Sequence, residues 1–85
     1  MANVKVLYFA GLRELIGVDT EEVALPVSPT VAALVAVLCG RGGVYAEALD
    51  ATRRWRVAVN QDMAKLTDAI RAGDEVAFFP PVTGG

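Results

Sequence analysis

Asn60-Gln61-Asp62-Met63-Ala64-Lys65-Leu66-Thr67-Asp68-Ala69-Ile70-Arg71-Ala72-Gly73-Asp74-Glu75 decides between two folds for this chain of 85 residues. The stretch opens on a turn at Asn60-Gln61-Asp62 and closes on another at Ala72-Gly73-Asp74. Between them there is room for a short strand near Met63 to Leu66, and for no second long helix. A ferredoxin-like order of elements needs that helix. A mixed sheet packed on one helix does not.

On either side, alternation supplies the strands. Arg56 to Asn60 reads as a strand with Val57 and Val59 inward, and Glu75 to Phe79 as the closing strand. Val76 and Phe78 share one face of that strand; if they point inward, Phe79 points out. Asn3 to Phe9 reads as the first strand, with Val4, Val6 and Tyr8 on one face and Lys5, Leu7 and Phe9 on the other. Ala10 to Gly17 follows as a short helix, with Leu12, Leu15 and Ile16 at helical spacing and Gly17 placed to end it. Thr20 to Leu25 is a second strand, stopped by Pro26.

Thr30 can cap the main helix, because its hydroxyl can accept a first-turn N–H. Val31, Leu34, Val35 and Leu38 form that helix's apolar stripe, and Gly40 stands where a C-terminal glycine is expected. Residues 40–56 carry the weakest pattern, and a short second helix around Tyr45 to Leu49 is the reading there. The fold class is therefore α+β: a ubiquitin-like β-grasp domain over residues 1–79, with a flexible C-terminal tail over residues 80–85.

Composition removes several functions. Eight basic against ten acidic residues give a net charge of −2, which argues against nucleic acid as the main partner. Arg53, Arg54 and Arg56 are the one basic cluster, and a solvated turn or strand edge accounts for them. No run approaches the roughly 20 apolar residues that span a bilayer. The start, Met1-Ala2-Asn3-Val4-Lys5, lacks the features of a signal peptide. Cys39 is the single cysteine, so no disulfide forms within the chain, and a cytoplasmic location is expected. Beside the Leu34/Leu38 stripe, packing is its expected role. With no histidine and one cysteine the chain has neither the usual proton-transfer side chain nor a usual zinc set. Gly40-Arg41-Gly42-Gly43 lacks the spacing of a phosphate loop and reads as a helix stop. Apolar side chains make up 54% of the chain before its eight glycines are counted. Totals that include glycine usually reach roughly 45–50%, so apolar surface is left over for a partner.

The end of the chain is different. Pro80-Pro81 stops the last strand, since neither residue has an N–H for the ladder, and two prolines favour an extended course away from the body. Val82-Thr83-Gly84-Gly85 follows. From Pro80, six residues reach roughly 20 Å when extended. Glycines lack Cβ and pass through narrow channels. A terminal glycyl carboxylate is the least hindered one a protein can offer. Carboxylates resist nucleophiles because oxide leaves poorly; adenylation supplies a good leaving group, and a sulfur donor can then replace it to give a thiocarboxylate.

Gly73-Asp74-Glu75-Val76-Ala77-Phe78-Phe79-Pro80-Pro81-Val82-Thr83-Gly84-Gly85 resembles the signature of the molybdopterin synthase small-subunit family. Val6-Leu7-Tyr8-Phe9-Ala10-Gly11-Leu12-Arg13-Glu14-Leu15-Ile16-Gly17 resembles that family's first strand and helix, and Val59-Asn60-Gln61 its central strand. The resemblance implies a sulfur carrier with Gly85 as acyl-adenylate and then thiocarboxylate, and Pro80, Pro81, Val82, Thr83 and Gly84 as the inserted tail. Phe9, Met63 and Phe79 match apolar contact positions; Arg13, on the polar side of the short helix, is expected to add an ion pair at the rim. It implies three partners: the large subunit, in a heterotetramer; a ubiquitin-activating-like adenylyltransferase that uses ATP and magnesium; and a sulfurtransferase. No permanently bound cofactor, no nucleic acid and no membrane are implied, and sulfur passes to cyclic pyranopterin monophosphate to form the molybdopterin dithiolene. The catalytic lysines of that family lie on the large subunit, so Lys5 and Lys65 receive no such role. The alternatives are a thiamine-pathway sulfur carrier, usually shorter and without Phe-Phe-Pro-Pro, and a β-grasp interaction module with an unmodified tail.

Overall fold

Alternation along the first and last strands builds the centre of the sheet. The computed structural model describes residues 2–50 and 52–81. In β1 (Asn3–Tyr8) the side chains of Val4, Val6 and Tyr8 are buried, and in β5 (Glu75–Phe79) those of Val76 and Phe78. The two strands run parallel in register, Val6 opposite Val76 and Tyr8 opposite Phe78. Buried pairs thus face buried pairs. β2 (Thr20–Ala24) adds antiparallel to β1, β3 (Arg56–Val59) antiparallel to β5, and β4 (Asp62–Met63) antiparallel to β3. The strand order is β2-β1-β5-β3-β4, one mixed sheet.

Three helices join the strands: α1 (Ala10–Ile16), α2 (Val31–Cys39) and α3 (Gly43–Ala48). Val31, Leu34 and Leu38 of α2 are completely buried against the sheet, while Val35 is half-buried. Aromatic packing completes the core, with Tyr8 stacked on Phe78 at 6.2 Å and Trp55 edge-on to Phe78 at 5.5 Å.

The helix-free stretch of residues 60–75 supports α2. A helix leaves its first four N–H groups unpaired. Here Val31 N donates to Asp68 O and Ala32 N to Leu66 O. Thr30 Oγ1 takes Ala33 N at 3.1 Å, the expected cap, and Thr30 O takes Leu34 N. Ile70, 1% exposed, anchors the same segment in the core. This use of the backbone explains why β4 is Asp62–Met63 rather than the expected Met63 to Leu66.

Other boundaries shift for local reasons. β1 ends at Tyr8 because Phe9 becomes the residue that starts α1. α3 begins at Gly43, two residues before the expected start. Gly40 ends α2 as expected, in right-handed geometry (φ −63°), and Gly42 before α3 takes a positive φ of 72°. The Asn60-Gln61 turn joins β3 to β4 with both residues at positive φ, 50° and 72°, the two-residue hairpin geometry that matches strand twist. Asn60 Oδ1 accepts Glu75 N and its Nδ2 donates to Asp74, tying the turn to the start of β5.

Candidate functional site

Among the described residues no helix covers the second face of the sheet, and register fixes what it displays. Leu7, Ala77, Ala58 and Met63 stand side by side across β1, β5, β3 and β4. Phe79 is paired with Arg56 one step further along, and Phe9 follows β1 with its N–H on Phe78 O. Met63 is 61% exposed and Phe9 44%, large values for apolar side chains. The two alanines keep the middle of this row low, between the larger Leu7 and Met63. Lys5, Glu75 and Arg56 lie on the margins of this apolar face.

Phe9, Met63 and Phe79 therefore lie on one face, Phe9 and Phe79 as expected from alternation, with Phe79 half-buried there. Arg13 is exposed on α1, across a small cleft from Thr20, whose side chain flanks Leu7 on the outer face. It stands at the rim of the surface rather than in it, and makes no ion pair among the described residues. β5 ends at Phe79, and Pro80 and Pro81 follow outside the sheet, both half-buried. The remaining expected site residues, Val82, Thr83, Gly84 and Gly85, lie outside the described residues.

A charged hub appears on the inner side that sequence reasoning did not find. Glu21 pairs with Val6 in register and so points inward from β2. Its carboxylate accepts from the Tyr8 and Tyr45 hydroxyls, each at 2.9 Å, and from Arg41 Nη1 at 2.8 Å. Arg41 also lies over the Tyr45 ring at 4.8 Å. Burial alone would push Glu21 up, but the hydrogen bonds from Arg41, Tyr45 and Tyr8 together hold it below the usual carboxylate range. Burial and the Glu21 carboxylate push both tyrosines upward, and Glu21 raises Arg41 further. All four groups thus keep one protonation state near neutral pH. They are fastenings for residues 41–45 against the sheet, not acid–base catalysts. The available signal was one charged residue at an inward position of an alternating strand; its partners come from the stretch whose pattern was weakest.

Among the described residues no group of three potential ligand side chains could hold a metal ion. No helix of the described residues is long and apolar enough to cross a membrane. Cys39 is half-buried, its Sγ 3.7 Å from Leu49 O, and packs at the edge of the core.

One mixed sheet, one principal helix and a proline-terminated exit beside an open apolar face define a ubiquitin-like β-grasp protein. The ThiS family model matches residues 6–85. The chain is 46% identical to the molybdopterin synthase sulfur carrier subunit of Escherichia coli (strain K12), over 96% of this chain and 99% of that one. A structure assigned as molybdopterin converting factor subunit 1 from Pyrococcus furiosus superposes with a TM-score of 0.80 at 32% identity, covering 96% of this chain and all of the other. A chain of a protein–protein complex of subunits 1 and 2 of molybdopterin-converting factor from Helicobacter pylori shares the fold (TM-score 0.67, 21% identity, 98% and 99% covered). The chain belongs to the ThiS family, with the molybdopterin synthase sulfur carrier subunits as its relatives.

Proposed function

We propose that the chain is the sulfur carrier subunit of molybdopterin synthase, and that its working group is the carboxylate of Gly85. The observation that carries this reading is the family match running through residue 85, so that the likeness includes the C-terminal glycines as well as the fold. The E. coli relative named as this subunit is matched over nearly its whole length, which favours this pathway over the thiamine one.

The sequence of steps follows from carboxylate chemistry. A carboxylate oxygen of Gly85 attacks the α-phosphorus of ATP on an activating enzyme, with magnesium, and pyrophosphate leaves. Sulfur delivered by a sulfurtransferase at the sulfide level, as hydrosulfide, attacks the acyl carbon; AMP leaves, and loss of the S–H proton gives the thiocarboxylate. The tail, residues 80–85, then enters the large subunit, where sulfur passes to cyclic pyranopterin monophosphate. In this reading residues 1–79 are the handle, which holds no permanent cofactor and works in the cytoplasm. Phe9, Met63 and Phe79 seat it on its partners, and Arg13 pairs at the rim. The carrier and large subunit assemble as a heterotetramer. The inert hub at Glu21 supports this division of labour, because the handle itself has no acid–base work to do.

The test is intact-mass analysis of the protein from its own cytosol. An oxygen-to-sulfur mass gain on the C-terminal peptide is expected. Deleting Gly85 should abolish sulfur transfer and leave the melting temperature unchanged to within a degree or two, because a terminal residue contributes little to the core. A C-terminus that never carries sulfur under molybdenum-cofactor demand, or a deletion variant that still transfers it, overturns the reading.

A further inference from the structure

A second surface joins the outer face at Met63 and Pro81. It is a groove between α2 and the segments 53–57 and 63–66. Val35, Cys39, Leu49, Trp55 and Leu66 make its apolar floor. Arg53, Arg54, Arg56 and Lys65 stand around it, four of the eight basic residues in the chain. Of the ten acidic residues only Asp50 lines it, and that carboxylate is already held by the Thr52 N–H and hydroxyl, both at 2.8 Å.

Within the described residues, Arg53 alone of the four has an ion pair, 3.6 Å to Glu47, with both side chains about half exposed. Pairs of that kind contribute little and are easily exchanged. A protein with a net charge of −2 thus gathers an excess of positive over negative side chains in one place, over a floor that can exclude water from an ion pair.

We infer that this groove docks an acidic segment of the large synthase subunit, the protein that takes the tail; the inference rests on the function proposed above. Continuity points to that partner. Arg56 faces outward opposite Phe79, and Pro81, the last described residue of the tail, forms part of the groove wall. A protein seated on Phe79 and Met63 that draws the chain past Pro81 must lie across the mouth of the groove. A nucleic acid fits less well. Outside the groove the chain has nine acidic and four basic residues, so a long polyanion would be repelled on leaving it.

The experiment is isothermal titration of the full-length chain with the large subunit of its own organism, at low and high salt. The variants are Arg54→Glu/Lys65→Glu, the milder Arg54→Gln/Lys65→Gln, and Arg71→Glu as a charge control outside the groove. The substituted groove residues are exposed, so melting temperatures should hold. The double reversal should weaken binding about tenfold or more at low salt, the neutral pair should weaken it less, and both losses should shrink as salt screens the charges. Arg71→Glu should stay within about twofold of the wild type. Wild-type binding with no loss in the double reversal overturns the groove alone. No binding of the wild type overturns the function proposed above and the groove with it. Tighter binding on reversal would mean that the groove holds the chain's own terminal carboxylate, and would likewise overturn the inference.

Discussion

Replacing Glu21 by Ala tests whether the inner hub fastens residues 41–45 to the sheet. The substitution removes the common acceptor of three hydrogen bonds, from Tyr8, Tyr45 and Arg41. The consequences differ by donor. Arg41 keeps about a third of its side-chain exposure and Tyr45 is half-buried, so both can turn toward water at small cost. Tyr8 is 1% exposed and its hydroxyl has no other acceptor among the described residues. Leaving such a group unpaired costs about 1–3 kcal/mol. With the weaker losses added, a destabilisation of about 2–3 kcal/mol follows, and a domain of this size moves about 4–8 °C in Tm per kcal/mol, so a fall of roughly 10–20 °C is expected. Tyr8→Phe removes the donor together with its need for a partner and should cost about 1 kcal/mol or less. The pH dependence has a definite sign. Glu21 titrates below its ordinary range in the folded chain, so its contribution is present above the unfolded carboxylate value of about 4.3 and is lost as pH falls through the folded one. Wild-type protein should therefore lose stability on acidification more steeply than Glu21→Gln. Thermal melts by circular dichroism from neutral pH downward read both effects. A Glu21→Ala protein that melts within about 2 °C of the wild type at pH 7 would refute the reasoning, because a buried hydroxyl cannot be orphaned that cheaply.

Two further predictions separate the handle's surface from its folding. Phe79→Ala should weaken binding to the large subunit about tenfold or more while lowering Tm by only a few degrees, since Phe79 points away from the core face; titration and melting measure the two, and comparable losses in both would place the ring in the core instead. Asn60→Ala should cost about 1–2 kcal/mol, seen as an earlier midpoint in urea, because it puts a side chain at positive φ without Asn's tolerance and frees Glu75 N and Asp74; Asn60→Gly keeps the turn and should recover part of the loss.

What the sequence made legible was what local rules determine. Period-two alternation placed Val4, Val6, Tyr8, Val76 and Phe78 inward and Phe9 and Phe79 outward, and Thr30 was recognisable as a cap because capping depends on one hydroxyl and a nearby N–H. Residues 64–66 were read as part of a short strand, and residues 67–70 only as non-helical. Their carbonyls meet the first turn of α2, about 35 residues earlier in the chain, and no local pattern announces so distant a partner. Gly40 was placed at the end of α2 and closes it, whereas the positive φ at Gly42 belongs to the path of the loop into α3 and had no separate signal. The groove was half visible: Arg53, Arg54 and Arg56 stood out as a cluster, but Lys65 and the apolar floor join them only through the fold.

The same distinction bears on function. Glu21, Tyr8, Tyr45 and Arg41 are the charged and polar groups that an active-site search would select first, since they converge and their proton affinities are displaced. Each displacement, however, moves its group away from neutral pH, the carboxyl downward and the phenols upward. A general acid or base needs the reverse, an affinity brought toward the working pH. The direction of the shifts therefore assigns the cluster to structure. The outer face differs: it has exposed apolar side chains on β4 and after β1, a low floor of two alanines, and the exit of β5 into Pro80 and Pro81 at its edge. A domain built this way can be recognised and held while chemistry takes place on a segment beyond it, which is what a protein that carries a reactive group for other enzymes requires.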